Sequence, residues 1–94
     1  MTGEDKKIIV KIISKYLLEA KIYLFGSRAR QNHMPESDVD IALDNDKKIE
    51  SYVLSLVKEE IDASTIPYTV DVIDMHAISE NLKNQILKDG KLWH

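Results

Sequence analysis

Two aspartates one residue apart at the start of an apolar segment place the strongest constraint on the fold of this 94-residue chain. Asp38 and Asp40 flank Val39, and we predict a strand from Asp38 to Leu43. Side chains alternate between the two faces of a strand, so both carboxylates share one face while Val39, Ile41 and Leu43 share the other. The predicted strand therefore has one face for a core and one face that must accommodate two negative charges.

The spacing of apolar residues elsewhere predicts helices and strands in alternation. Three helices are expected over Glu4–Glu19, Lys47–Ile61 and Ile78–Lys88. Two further strands are expected over Lys21–Phe25 and Tyr68–Asp74, a short helix over Ser27–Gln31, and an extended tail over Lys91–His94. Strands separated by helices indicate an α/β fold, with a sheet of at least three strands flanked by helices. The length suits a single domain over residues 1–94.

Composition excludes several classes of function. The net charge of −3 argues against a nucleic-acid binder that relies on bulk positive charge. Cysteine is absent, and the three histidines have no ligand spacing, so a zinc site is not expected. No apolar run approaches the length of about 18 residues that a membrane span requires. We therefore expect a cytoplasmic protein that does not bind a membrane.

A third acidic residue interrupts an apolar run further along the chain. Asp71 lies between Val70 and Val72 in a predicted strand. A buried carboxylate there costs free energy unless it is paired or binds a metal ion. The alternative is an edge strand with one solvent-facing side. Asp74 has the opposite parity, and we expect it to be a cap or a surface residue.

Residues suited to phosphate binding precede the aspartate pair. Gly26 allows the backbone to approach a phosphate group closely, and the Ser27 hydroxyl can bond a phosphate oxygen. An ordinary strand-to-helix turn uses the same two residues. Arg28 and Arg30 add positive charge but diverge at this spacing, so we expect one of them to reach a triphosphate. Carboxylate pairs suit Mg²⁺, which prefers hard oxygen ligands. A phosphate-binding turn followed by paired carboxylates favours phosphoryl or nucleotidyl transfer.

The combined pattern resembles the minimal nucleotidyltransferase (MNT) group of the superfamily that includes DNA polymerase β. Gly26-Ser27 is followed by ten residues, then Asp38-Val39-Asp40, then Asp71 on a later strand. One departure is Gln31, where the family often has glycine. The resemblance implies a polymerase-β-like core with a small mixed sheet.

The same resemblance implies a chemistry and a partner. Asp38, Asp40 and Asp71 would be the catalytic residues and the ligands of two Mg²⁺ ions, with ATP as the substrate. Gly26 and Ser27 would position its phosphates. MNT proteins are often antitoxins of HEPN-domain toxins, and the suggested acceptor of AMP is a tyrosine hydroxyl of that partner.

Two alternatives stay open at this point. The chain is small, and Leu92 and Trp93 near its end are candidates for contact with a partner, which suits an antitoxin that neutralises its partner by binding alone. The other alternative is a nucleotidyltransferase that acts on a small molecule, as aminoglycoside-modifying relatives do. The short segment after Asp71 argues against a separate acceptor-binding domain and therefore against this second alternative.

Overall fold

Three helices pack around a four-stranded mixed sheet in the computed structural model, which describes residues 3–26, 28–29 and 38–94. The helices are α1 (Gly3–Tyr16), α2 (Ser51–Asp62) and α3 (Glu80–Asp89). The strands are β1 (Lys21–Phe25), β2 (Val39–Asp44), β3 (Val70–Asp74) and β4 (Lys91–Leu92), and a 3₁₀ turn spans Met75–Ala77. The described helices include none long and apolar enough to cross a membrane.

The sheet order is β3-β2-β1-β4, with β3 and β4 at the edges. β1 is antiparallel to both of its neighbours, whereas β3 runs parallel to β2 after the crossover through α2. The predicted mixed sheet is therefore confirmed. The tail predicted to be extended forms β4, which pairs Leu92 with Tyr23 and Lys91 with Leu24 along the outer edge of β1.

The main core lies between one face of the sheet and the helices α1 and α2. Val39, Ile41 and Leu43 are fully buried on this face, as the alternation of the β2 sequence predicts. They pack with buried isoleucines of α1 and with Val57 and Ile61 of α2. Burial of each such side chain contributes about 1.5–3 kcal/mol to folding. This face therefore accounts for most of the apolar stabilisation.

The opposite face of the sheet is covered by α3 over a smaller core. Ala42, Met75 and Ile86 are buried there, and Phe25 and Leu82 are partly buried around them. The parity of β2 places Asp40 on this same face as Ala42. The second core therefore lies next to the carboxylates that the sequence singles out.

The predicted start of the second helix is wrong by four residues. We expected this helix from Lys47, but α2 begins at Ser51 and Glu50 is extended, with φ −65° and ψ 140°. Ile49 explains the difference, because its backbone N–H donates to Asp74 Oδ2 at 2.8 Å and its side chain is buried. The hydrogen bond and the buried side chain hold Ile49 against the end of β3, and the extended residue Glu50 separates it from the first turn of α2.

Other differences concern element ends and helix faces. The first helix ends at Tyr16 instead of Glu19, and β3 begins at Val70 instead of Tyr68. Leu56 and Leu87 lie within the predicted apolar helices but are 40% and 50% exposed.

Candidate active site

The sheet register brings two of the predicted catalytic carboxylates together. Asp40 of β2 lies directly beside Asp71 of β3 in the parallel ladder, so both side chains are on the same face. Asp38 precedes β2 by one residue and has the same parity as Asp40. Asp40 is partly buried, whereas Asp38 and Asp71 are exposed. Asp71 therefore lies on the solvent-facing side of the edge strand β3, directly beside Asp40.

Negative charge accumulates at this end of the sheet. Burial raises the pKa of Asp40 above its ordinary value, and the neighbouring charges of Asp71 and then Asp38 raise this pKa further. Three carboxylates that repel one another are the donor set that a hard cation such as Mg²⁺ relieves. Among the described residues, no three acidic or histidine side chains are gathered at the spacing of a formed metal site.

Gly26 ends β1 in a conformation and a position that only glycine suits. Its φ is +75°, in the left-handed region that L-residues with a side chain rarely adopt. A Cβ atom at this position would lie 2.5 Å from Oδ2 of Asp40. The backbone of the predicted phosphate-binding turn is therefore in direct contact with the central carboxylate. Ser27 and Arg30, the other predicted phosphate ligands beside Arg28, lie outside the described residues.

Arg28 is buried beside this turn. It is 5% exposed, and its guanidinium carbon lies 4.5 Å from the centroid of the Tyr68 ring. Such a cation–π contact stabilises by about 0.5–2 kcal/mol. Tyr68 lies two residues before β3, so this contact ties the turn after β1 to the approach to Asp71. The sequence gives no signal for this role of Tyr68, because a tyrosine before a strand is ordinary.

A cavity of about 200 Å³ opens next to Gly26 on the carboxylate face. It is lined by Phe25 and Gly26 at the end of β1 and by four residues of α3, namely Leu82, Gln85, Ile86 and Asp89. Phe25 is the cross-strand partner of Asp40, so the cavity wall adjoins the carboxylates. The sequence predicts the last helix but not the cavity, because the cavity depends on how α3 crosses the sheet.

At the other end of β2 and β3, the acidic side chains form hydrogen bonds that support the fold. Asp74 is 4% exposed and accepts hydrogen bonds from the backbone N–H groups of Ile49 and His76. It is a cap, as one of the two predictions stated, but it is buried and is not a surface residue. His76 is exposed, and its Nε2 lies 3.0 Å from Oδ1 of Asp44 and 2.6 Å from the carbonyl oxygen of Asn45.

Comparisons with known proteins agree with this geometry. The family described as polymerase beta, nucleotidyltransferase, matches residues 7–93. The probable protein adenylyltransferase MntA of Haemophilus influenzae is 26% identical over 86 residues, which are 92% of this chain and 75% of that protein.

Solved structures resemble the chain over nearly its whole length. A toxin–antitoxin complex crystallised with AMP-PNP contains a chain with a TM-score of 0.81 and 26% identity, and the match covers 99% of this chain and 73% of that one. A tri-AMPylated HEPN toxin of Shewanella oneidensis in complex with an MNT antitoxin gives a TM-score of 0.77 at 24% identity, with coverages of 100% and 72%. At 24% identity, this second match shows that the two chains share a fold.

Proposed function

This chain belongs to the polymerase β nucleotidyltransferase family, and on that premise we propose that it transfers AMP from ATP to a hydroxyl group of a partner HEPN-domain toxin. The acceptor would be a tyrosine hydroxyl, and the modification would make this chain the antitoxin of the pair, acting in the cytoplasm where ATP is available. The observation that supports the proposal best is the alignment of Asp40 with Asp71 on one face, with Gly26 packed against Asp40. The relative named as a probable protein adenylyltransferase supports the same reaction.

The residues at this end of the sheet suit the binding of a nucleoside triphosphate. Asp38, Asp40 and Asp71 would hold two Mg²⁺ ions, which when bound neutralise phosphate charge and polarise phosphate oxygens. The glycine at position 26 leaves the backbone free of a side chain, so its turn can lie directly against a phosphate group. Ser27, with Arg28 or Arg30, would complete the contacts to the phosphates.

The reaction itself requires a positioned acceptor and a proton acceptor. The acceptor oxygen forms a bond to the α-phosphorus, the bond between that phosphorus and the bridging oxygen breaks, and pyrophosphate leaves. Asp71 would accept the hydroxyl proton, and its exposure on the edge strand supports this role because the acceptor arrives from another molecule. Most of the rate enhancement would come from alignment of the acceptor with the phosphate.

Labelling of the partner tests this proposal. The chain is incubated with α-³²P-ATP, Mg²⁺ and its HEPN-domain partner, and the label should appear on the partner. Replacing Asp38 and Asp40 together by asparagine should abolish labelling. Asp44→Asn is the matched control, because Asp44 lies on the same strand at the end that bonds His76. Absence of labelling by the wild-type chain, or labelling that survives the double substitution, contradicts the proposal.

A second candidate is neutralisation by binding alone. Leu92 is 60% exposed on the edge strand β4, and Leu87 at the end of α3 is 50% exposed. The open edge of a sheet can pair with a strand of a partner, and an exposed leucine on that edge can pack against the partner. If the double aspartate variant still rescues growth of cells that express the toxin, binding is sufficient. Loss of rescue while the complex still forms excludes this candidate.

A further inference from the structure

We propose that the cavity beside Gly26 is the subsite for the adenine base and that Gln85 and Asp89 of α3 read its amino edge. This inference rests on the proposed use of ATP and adds the residues that would select the nucleotide. The cavity adjoins the place where the phosphates would lie, since Gly26 is both part of its lining and in contact with Asp40. A nucleotide whose phosphates occupy that turn can therefore place its base in the cavity.

The size and walls of the cavity suit a flat aromatic ring. Its volume of about 200 Å³ is smaller than the roughly 300–1,000 Å³ of pockets that enclose a whole drug-sized ligand. It therefore fits one part of a nucleotide. Phe25, Leu82 and Ile86 supply apolar surface on the strand and helix sides, and a purine base stacks well on such side chains.

The polar groups of the lining match adenine. A glutamine amide offers one acceptor and one donor, which pair with the N6 amino group and N7 of adenine. The Asp89 carboxylate only accepts, so it provides a second partner for the amino group. Guanine has an acceptor oxygen at the corresponding position, and this oxygen would face the carboxylate without a hydrogen between them. With the base held in this orientation, Asp89 favours adenine over guanine, whereas the amide of Gln85 can rotate to suit either base.

The position of Asp89 does not favour the stability of α3. It is the last residue of the helix, where the negative end of the helix dipole disfavours a carboxylate. Lys88 beside it has the charge that suits this end. An acidic residue that lines the cavity supports ligand recognition at some expense of helix stability.

Binding of nucleotide analogues separates this inference from the proposed function. Calorimetry with the full chain, Mg²⁺ and either AMP-PNP or GMP-PNP should show tighter binding of the adenine analogue. Discrimination by a paired base edge amounts to about 5- to 150-fold. Asp89→Asn introduces an N–H donor that guanine can use, so this variant should bind GMP-PNP better and bring the ratio of the two affinities close to one. Gln85→Leu should weaken AMP-PNP by at least about 5-fold.

The control variant is Asn84→Ala, since Asn84 is exposed on α3 and does not line the cavity. Its two affinities should equal those of the wild type, and thermal melts should show that all variants are folded. If the wild type binds AMP-PNP but Gln85→Leu leaves that affinity unchanged, or Asp89→Asn leaves the ratio of the two affinities unchanged, the inference is overturned while the proposed function stands. If the wild type binds neither analogue, both are overturned.

Discussion

Replacing Gly26 by alanine should damage activity far more than stability. The new Cβ atom would lie 2.5 Å from Oδ2 of Asp40, while an ordinary contact begins at 3.4 Å. The carboxylate oxygen must therefore retreat by about 0.9 Å, which its flexible side chain allows at small cost in folding energy. A misplacement of about 1 Å in a reacting group lowers a rate by about 100-fold. We expect AMP transfer to the partner to fall by about this factor.

The cost in stability has a separate origin. A residue with a side chain in the left-handed region costs roughly 1–2 kcal/mol, and Gly26 has φ +75°. For a domain of this size, each kcal/mol lowers the melting temperature by about 4–8 °C. The alanine variant should therefore melt about 4–16 °C lower than the wild type and remain folded at 20 °C. Circular dichroism melts and the labelling assay measure the two effects independently.

Two further variants distinguish the two effects. Asparagine tolerates the left-handed region better than alanine does, so Gly26→Asn should recover part of the lost stability but none of the lost transfer. Gly3→Ala is the control, because a Cβ at position 3 meets no atom within 4 Å. Full transfer by folded Gly26→Ala would refute the argument that this glycine makes room for the carboxylate of Asp40.

Three other substitutions should change stability in different ways. The pKa of Asp40 is raised by burial and by its neighbouring carboxylates. Asp40→Asn should therefore raise the urea midpoint of the metal-free chain at pH 7. This gain should vanish as the pH falls through that pKa, because Asp40 itself then becomes neutral. The pKa of Glu60 is lowered by hydrogen bonds from Lys15 and Tyr16. Glu60→Gln should therefore lower the urea midpoint slightly at pH 7 and leave it unchanged at a pH below that pKa, where Glu60 is protonated. Asp74→Ala should cost about 2–4 kcal/mol in urea denaturation, because two backbone N–H groups lose their acceptor; an unchanged midpoint would contradict its role as a buried cap.

The sequence predicts the faces of β2 because strand parity is a local property. Val39, Ile41 and Leu43 are fully buried, and Asp40 lies on the opposite face, as alternation requires. The pairing of Asp40 with Asp71, in contrast, is not a local property of either strand. Parity restricts the possible registers but does not select one, and the selection depends on packing of α2 across the sheet.

The sequence does not predict the role of a residue when that role depends on contacts with distant segments. Ile49 fits a helical pattern equally well, but it lies outside α2, where its backbone N–H donates to Asp74 at the end of β3. Gln85 and Asp89 carry no motif, because their common cavity exists only once α3 lies over Phe25. Local chemistry therefore identified the carboxylates, whereas the surroundings of those carboxylates required the assembled fold.

The parallel register of β3 has a consequence for the order of folding. β1 and β2 form an antiparallel pair from nearby segments, whereas Asp71 joins Asp40 only after the chain has crossed through α2. Contacts between distant segments form slowly because a long loop must close first, and here β3 must also bring one negative charge beside another. Docking of this edge strand is therefore the step that charge repulsion opposes. We expect the backbone amides around Val72 to exchange hydrogen faster than those of β1 in metal-free solution, and to slow when Mg²⁺ is added.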